Sequence, residues 1–412
     1  MNKSERYIVG LDIGTSNVVC IIAETHEGGP PAIVGIGTSP SRGLHKGVVV
    51  NLEACVEAVK AAVEEAELMA GVTVERAHVG IAGGHIRSAN SRGVVAIAGR
   101  DRTVTREDVV RVLEAARAIS IPQDQVILHV VPQAFAVDDQ QGIRDPIGMS
   151  GSRLEALVHI VTGSVSSVQT MVNCVNRAGI EVTDTILEQF AASEAVLTQD
   201  ERDMGVALVD LGGGTTDIAL FERGSIVHTA VLPTGGDHFT SDIAIGLRTP
   251  LVDAEKTKLK HGCALASMIG DEEMIEVPSV GGRKPRVLSR QVLCEIIQPR
   301  AEEVLQLIQD EIKTAGFDRS IPAGLVLTGG GAILEGIPEI AEQIFDLPVR
   351  RGAPLGVGGL ADVVASPQYG TAIGLILYGT RHKTAPGRPP ARRRFLIPRF
   401  AVRLREYIGQ IF

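Results

Sequence analysis

One short pattern is written twice in this chain, and the distance between the copies limits what it can fold into. Residues 8–11 are apolar, Asp12-Ile13-Gly14-Thr15-Ser16 reads as a turn, and 18–23 are apolar again. The same grammar returns at 206–209, at Asp210-Leu211-Gly212-Gly213-Gly214-Thr215-Thr216-Asp217 and at 218–221. Each copy predicts a β-hairpin whose first strand ends on an aspartate and whose turn is rich in Gly and Thr. Asp12 and Asp210 stand 198 residues apart. A repeat at that period predicts two similar α/β halves, not a solenoid of short units.

Composition narrows the class. Apolar residues make up 44% and charged residues 22%, as in a folded globular chain. The 46 glycines suit an α/β scaffold with many tight turns, and the absence of Trp argues against an aromatic-lined sugar or single-strand surface. A net charge of −9 excludes general polyanion binding, so no nucleic-acid partner is expected. Cys20, Cys55, Cys174, Cys263 and Cys294 are scattered, with no CxxC, and fit a reducing compartment. No secretory segment and no apolar run of about 20 residues is seen. The chain is therefore expected in the cytoplasm unless its end attaches it to something.

Between the hairpins the periodicity predicts helices over Leu52–Ala70, 164–178 and 187–198. Thr105-x-x-Asp108 reads as a capping box opening a helix to about Ile119, with strands expected at 93–97 and 125–131. The stretch 84–162 reads as a small α+β unit inserted in the first half. Beyond the second hairpin, helices are expected over 246–261 and over 289–315, the latter interrupted at Pro299. A buried strand over 323–328 ends in Gly329-Gly330-Gly331, and 367–378 reads as a Gly-containing helix.

A phosphate chain needs donors without steric bulk. Glycines let the backbone approach and Thr or Ser hydroxyls add donors. Two such loops facing each other would grip a polyphosphate from both sides, and Asp12 and Asp210 would offer hard oxygens to a metal, often through water. One such turn alone is an ordinary hairpin. The ordered set of two hairpins and a third Gly loop carries the argument. No G-x-x-x-x-G-K-[ST] and no well-placed G-x-G-x-x-G occurs, which excludes a Walker-type NTPase and disfavours a dinucleotide fold.

This ordered set resembles the actin/Hsp70/sugar-kinase ATPase superfamily. Within it the chain resembles the FtsA family of bacterial cell-division proteins. The matching segments are 10–15 and 206–221 (phosphate loops), 187–197 and 369–378 (connecting helices) and 325–336 (adenosine loop). More specific are the 84–162 insertion, with Leu128-His129-Val130-Val131-Pro132-Gln133, and the closing amphipathic segment. The resemblance implies an actin-like ATPase fold of two duplicated RNase H-like halves. Its partition would be 1–83 with 163–204 and 363–380 (1A), 84–162 (1C), 205–227 with 300–362 (2A), 228–299 (2B), a linker 381–391 and a terminal helix 392–412.

It also implies roles. Asp12 and Asp210 would hold hydrated magnesium. Gly14, Thr15, Ser16, Asn17, Gly212, Gly213, Gly214, Thr215 and Thr216 would wrap the phosphates of ATP, and Gly235 and Gly236 would close on them. Glu255 and Lys258, by their residue types alone solvated helix charges, would reach the ribose, and Gly329, Gly330 and Gly331 would cradle adenine. Catalysis is less well marked. Asp210 is the one candidate to help orient an attacking water. No activated Lys or His stands beside it, and His228 and His238 read as structural or exposed. Slow or conditional turnover is expected, with ATP mainly a structural and switching ligand.

The chain's end is basic. Residues 381–412 hold nine Lys/Arg against Glu406 alone, while the other 380 residues carry 31 basic and 48 acidic side chains. After a Pro-rich stretch, helical geometry gathers Leu396, Phe400, Leu404, Tyr407, Ile408, Ile411 and Phe412 on one side, flanked by Arg399 and Arg403, with Val402 the exception. This is the pattern of a helix lying in a membrane interface, and Arg392-Arg393-Arg394 would add attraction to anionic lipid. A helix docked on the protein's own core is the plainer alternative.

The resulting expectation is an ATP-binding adaptor that polymerises on the cytoplasmic side of the cell membrane at the division site. By the resemblance it would bind the C-terminal peptide of FtsZ through 2B, where Arg283, Lys284, Arg286, Arg290 and Arg300 are candidates, and later divisome proteins through 1C. Rivals are a small-metabolite kinase of the same superfamily, an actin-like pilus-assembly adaptor, which should lack the terminal helix, and a chaperone, which would need a further domain.

Overall fold

A computed structural model describes residues 6–382 except 27, 100 and 271. The expected linker beyond His382 and the whole amphipathic segment 392–412 lie outside the described residues.

The two hairpins form, and each seeds a sheet of the same topology. In the first sheet, Tyr7–Ile13 pairs antiparallel with Asn17–Glu24, which pairs antiparallel with Ala32–Pro40. On its other side Tyr7–Ile13 runs parallel to Arg76–Ile81, which runs parallel to Glu181–Leu187. In the second sheet, Val206–Leu211, Thr216–Glu222 and Ser225–Leu232 form the antiparallel arm. Leu325–Thr328 and Val349–Arg351 form the parallel one. A sixth strand on the first sheet, Gly358–Gly359, arrives from the second half and pairs parallel with Ala32 and Ile33.

Both faces of each hairpin are covered, which is why 18–23 and 206–209 are continuous apolar runs. Odd and even positions go to different cores. Val18, Cys20 and Ile22 pack beneath helices Leu52–Ala70 and Val165–Arg177. Val19, Ile21 and Ala23 instead meet Val206, Leu208, Ala219 and Phe221 of the second sheet. Helices Glu188–Val196 and Gly370–Arg381 complete this central layer. They cross so closely that a Cβ on Gly374 would lie 1.8 Å from the Ala191 carbonyl oxygen.

Local signals set most element ends. Asn51 caps Leu52–Ala70 and Gly71 ends it in the left-handed region (φ 67°). The capping box at Thr105 and Asp108 forms and opens Arg106–Arg117. Two expectations are corrected. The helix expected over 246–261 is two helices, Gly236–Leu247 and Leu251–His261, broken at Arg248 (φ 49°) before Pro250. Pro299 does not interrupt Arg290–Thr314, whose buried face, with Leu293 and Ile297 before it and Ala301 and Val304 after it, is anchored in one core.

The inserted unit is a four-stranded antiparallel sheet in spatial order Arg87–Ala96, Arg153–Ser164, Gln125–Val137, Gln140–Ile143. Helix Arg106–Arg117 packs on it through Val109, Val112 and Leu113.

Candidate functional site in the cleft between the hairpins

The two Gly/Thr turns have the same internal geometry. Gly14 N donates to Asn17 O at 3.0 Å, and Gly212 N donates to Thr215 O at 3.0 Å. They face each other and touch. A Cβ on Gly213 would lie 2.0 Å from Ser16 Oγ, and one on Gly214 would lie 2.8 Å from Thr15 Oγ1. The second turn is carried by the start of Gly236–Leu247, where Gly236 N and Asp237 N donate to the Gly212 and Gly213 carbonyls at 2.9 and 2.8 Å.

Between them lies a cleft of about 490 Å³. Of the residues singled out in the sequence, Asp12, Gly14, Thr15, Ser16, Asn17, Asp210, Gly212, Gly213, Thr215, Gly236, Glu255, Lys258, Gly329, Gly330 and Gly331 line it. Gly214, Thr216 and Gly235 do not. Gly214 packs on the first turn, and Thr216 is fully buried with its hydroxyl donated to Thr234 O at 2.8 Å. Gly235 is pressed against the Gly212 and Gly213 carbonyls. These three shape the loop and do not face the cleft.

The third loop is tied to the second. Gly329 has φ +81°, and a Cβ there would strike Asp210 Oδ1 at 2.2 Å, so a side chain would dislodge the aspartate. Gly330 alone of the three faces open space. Glu255 and Lys258 are not free helix charges. Lys258 Nζ lies 2.7 Å from Glu255 Oε2 and donates to Gly236 O at 3.0 Å and Thr240 Oγ1 at 2.8 Å. Leu259, Ile333, Leu334 and Arg290 form the outer wall.

Sequence reasoning missed the floor. Glu188 and Asp217 join Asp12 and Asp210 there. Asp217 accepts from Gln189 Nε2 at 2.7 Å and Thr215 Oγ1 at 3.0 Å, and Asp210 accepts from Thr371 Oγ1 at 3.0 Å. Burial, then the facing Asp210, pushes Asp12 up to about 7. Burial pushes Asp210 up to about 6 against the pull of Thr371. Burial and Asp210 raise Asp217 to about 8 despite the Thr215 hydroxyl. Glu188 rises well above the carboxylate range through burial and the charges of Asp12, Asp217 and Asp210. Four crowded carboxyls with raised pKa values make a site short of positive charge.

A cation fits that deficit. Among the described residues no three His, Cys, Asp or Glu side chains converge tightly enough to hold a metal directly. A metal here would therefore be held partly through water or ligand oxygens, as hard cations commonly are. Gln189 Oε1, buried beside Asp217 with no partner, is a free acceptor for such a water.

His228 pairs with Glu311 at 2.9 Å and His238 Nδ1 accepts from Gly235 N at 3.2 Å, so both are structural. All five cysteines are unbridged and buried. Of the basic candidates for an acidic partner, Arg290 is neutralised by Glu273 at 2.9 Å and Glu335 at 2.5 Å, and Arg300 by Asp242 at 2.7 Å and Glu303. Arg286 donates to Leu247 O, and Arg283 and Lys284 are exposed. Arg283, Lys284 and Arg286 thus keep an uncompensated charge at an exposed position, whereas Arg290 and Arg300 do not.

Twin sheets of one topology, enclosing a cleft between twin hairpins, define a protein of the actin-like ATPase fold. A type IV pilus biogenesis PilM–PilN complex has a chain of this fold, with a TM-score of 0.65 and 19% identity, covering 90% of this chain and 98% of its own. MreB5 of Spiroplasma citri bound to ADP matches with a TM-score of 0.53 and 16% identity, covering 91% and 96%. The family is settled by sequence. The model of "Cell division protein FtsA" matches 207–374, and that of the "SHS2 domain inserted in FTSA" matches 83–162. A cell division protein FtsA of Pseudomonas aeruginosa is 53% identical over 382 residues, 93% of this chain and 91% of its own. The chain belongs to the FtsA family of cell division proteins. Among the described residues no helix is long and apolar enough to cross a membrane.

Proposed function

We propose that this cell-division protein binds a magnesium-bound adenine nucleotide in the cleft, assembles with copies of itself, and tethers FtsZ to the cytoplasmic face of the membrane. The observation that carries the nucleotide reading is the contact of the two Gly/Thr turns over four cation-deficient carboxyls. Backbone amides of both turns, with Ser16 Oγ and Thr15 Oγ1, would bind phosphate oxygens. Gly330 and the apolar wall of Leu259, Ile333 and Leu334 would take the base, and the Glu255–Lys258 pair the ribose. Magnesium, when bound, supplies the positive charge that the carboxyls lack. That ADP is bound by the distant structural relative MreB5 supports the reading.

Glu188 adds a hydrolytic candidate that no motif announced. In the charge-compensated cleft it would ionise and hold a water by hydrogen bond, the task a phosphoryl-transfer site sets its base. Its dependence on that compensation suits slow, conditional turnover. Asp210 is then a positioning and metal-side group, not the sole catalytic residue.

The membrane side rests on the sequence of 392–412. One interfacial helix binds reversibly, and a polymer joins many, so avidity would convert assembly into stable attachment. FtsZ would dock on 228–299, with later divisome proteins at the insert. Asp210→Ala decides the nucleotide reading. Titration calorimetry should show Mg·ATP affinity falling tenfold or more, as about 1.4 kcal/mol of lost interaction gives. Wild-type affinity in that variant rejects the site.

A further inference from the structure

The run Leu128-His129-Val130-Val131-Pro132-Gln133 lies on strand Gln125–Val137 of the insert, and its polar side chains point outward to both halves. His129 is buried, and its Nε2 accepts from Leu187 N at 3.0 Å. Leu187 ends the outer strand of the first sheet and is the residue before helix Glu188–Val196. The His129 ring also packs on Phe190, with centroids 4.8 Å apart. Leu128 joins Leu187 and Ile81 in a small apolar cluster with Ile86 and Val161. The insert thus holds the residues on either side of Glu188.

At the far end of the run, Gln133 Nε2 donates to Ile226 O at 2.9 Å, and Ser225 Oγ donates to Gln133 O at 3.0 Å. These partners belong to Ser225–Leu232, the outer strand of the second sheet. His159 adds Nε2 to Thr229 Oγ1 at 3.0 Å. The insert therefore spans the outer strands of both sheets, and one of its attachments is the amide next to Glu188 on the floor of the cleft.

On its inner side Leu187 is held by the parallel ladder to Ile81, and the His129 bond holds it from the insert side. Leu187 gives its helix no side-chain cap, and the wall opposite the Glu188 side chain is the bare Cα of Gly80, where a Cβ would meet Glu188 Cγ at 3.0 Å. A helix start without a side-chain cap keeps its register through whatever satisfies the neighbouring amides. Here the imidazole of His129 does this for Leu187.

We propose that His129 is a positioning residue for Glu188, so that the placement of the insert and the state of the nucleotide cleft are coupled through the Leu187 amide. The proposal rests on the nucleotide reading of the cleft. By linkage, a partner that shifts the insert would then change nucleotide preference, and nucleotide would change that partner's affinity by the same factor.

Three chains test this: wild type, His129→Leu, which keeps bulk but removes the acceptor, and His129→Gln, whose side-chain oxygen can accept the Leu187 N–H. Two quantities are read on the full-length protein: amide hydrogen exchange over 185–191, and the affinities for Mg·ATP and Mg·ADP by displacement of a fluorescent nucleotide. In His129→Leu, exchange at 187–190 should accelerate about fivefold or more, as loss of one buried hydrogen bond predicts. The ratio of ATP to ADP affinity should change about fivefold, the lower end of usual coupling, while ADP affinity stays within about twofold. His129→Gln should restore both. Parallel loss of both nucleotides, unchanged exchange in His129→Leu, or a His129→Gln protein that behaves as His129→Leu would overturn the proposal. If wild type binds neither nucleotide, the cleft reading fails by itself, and exchange at 187–190 with its rescue still decides whether His129 holds this turn.

Discussion

Gly213→Ala tests the contact between the two turns directly. The backbone at Gly213 is not in the left-handed region, so alanine brings no conformational strain of its own. The added methyl would stand 2.0 Å from Ser16 Oγ, about 1 Å inside the closest approach real Cβ atoms make, with Ser16 Cβ at 3.1 Å and N at 3.3 Å. The cheapest relief is rotation of the Ser16 hydroxyl, at about 1 kcal/mol for an unfavoured rotamer. That rotation also turns away a donor to a charged phosphate, worth about 1.5 kcal/mol. The rotamer cost is already present in the free chain and cancels from binding, so the lost donor alone predicts roughly 12-fold weaker Mg·ATP binding. The rotamer cost falls on the folded ligand-free chain, so its stability should drop by about 1 kcal/mol. The double variant Gly213→Ala with Ser16→Gly removes the clash and not the lost donor, and should regain the lost stability without binding more tightly. Calorimetry of the four chains of this cycle is the assay. With melting curves beside it, unchanged affinity in Gly213→Ala, or no recovery of stability in the double variant, refutes the idea that the turns grip the ligand in contact with each other.

Two further outcomes follow from the site and the tail. Asp12, Asp210 and Asp217, raised to about 7, 6 and 8, bind more protons folded than unfolded, so stability of the ligand-free protein should fall as pH rises from about 4 to about 8. Melting curves across that range should show the slope, Mg·nucleotide should flatten it, and binding near pH 7 should release protons; a stability that rises over that window contradicts the carboxyl cluster. For the tail, Phe400→Glu should abolish sedimentation with anionic liposomes while Mg·ATP affinity is kept, and loss of both would assign the segment to the core instead.

What the sequence made legible depended on whether a residue's chemistry was local. The hairpins could be read because Gly14 and Gly212 close turns that need small residues at fixed offsets from Asp12 and Asp210. Leu52–Ala70 could be read because Asn51 and Gly71 stop it at both ends. The start of Gly236–Leu247 could not, since Gly235 offers no side-chain cap and the loop it follows is itself glycine-rich. Glu188 was invisible for another reason. Within Leu187-Glu188-Gln189-Phe190 it looks like an ordinary helix charge, and only burial in the folded cleft, beside Asp12, Asp217 and Asp210, raises its pKa. Gln189 and Thr371 are the same case. Their partners lie 28 and 161 residues away, beyond any local pattern. A polar pair such as Glu188-Gln189 opening a helix of otherwise mostly small, buried residues was the one available hint.

The two-residue strand Gly358–Gly359 has a protective consequence. The second half lends it to one margin of the first sheet, while the insert clasps the opposite margin at Leu187. Each border of that sheet is thereby engaged over part of its length, at Ala32 and Ile33 on one side and at Leu187 on the other, which shortens the run of unpaired backbone offered to a stray strand.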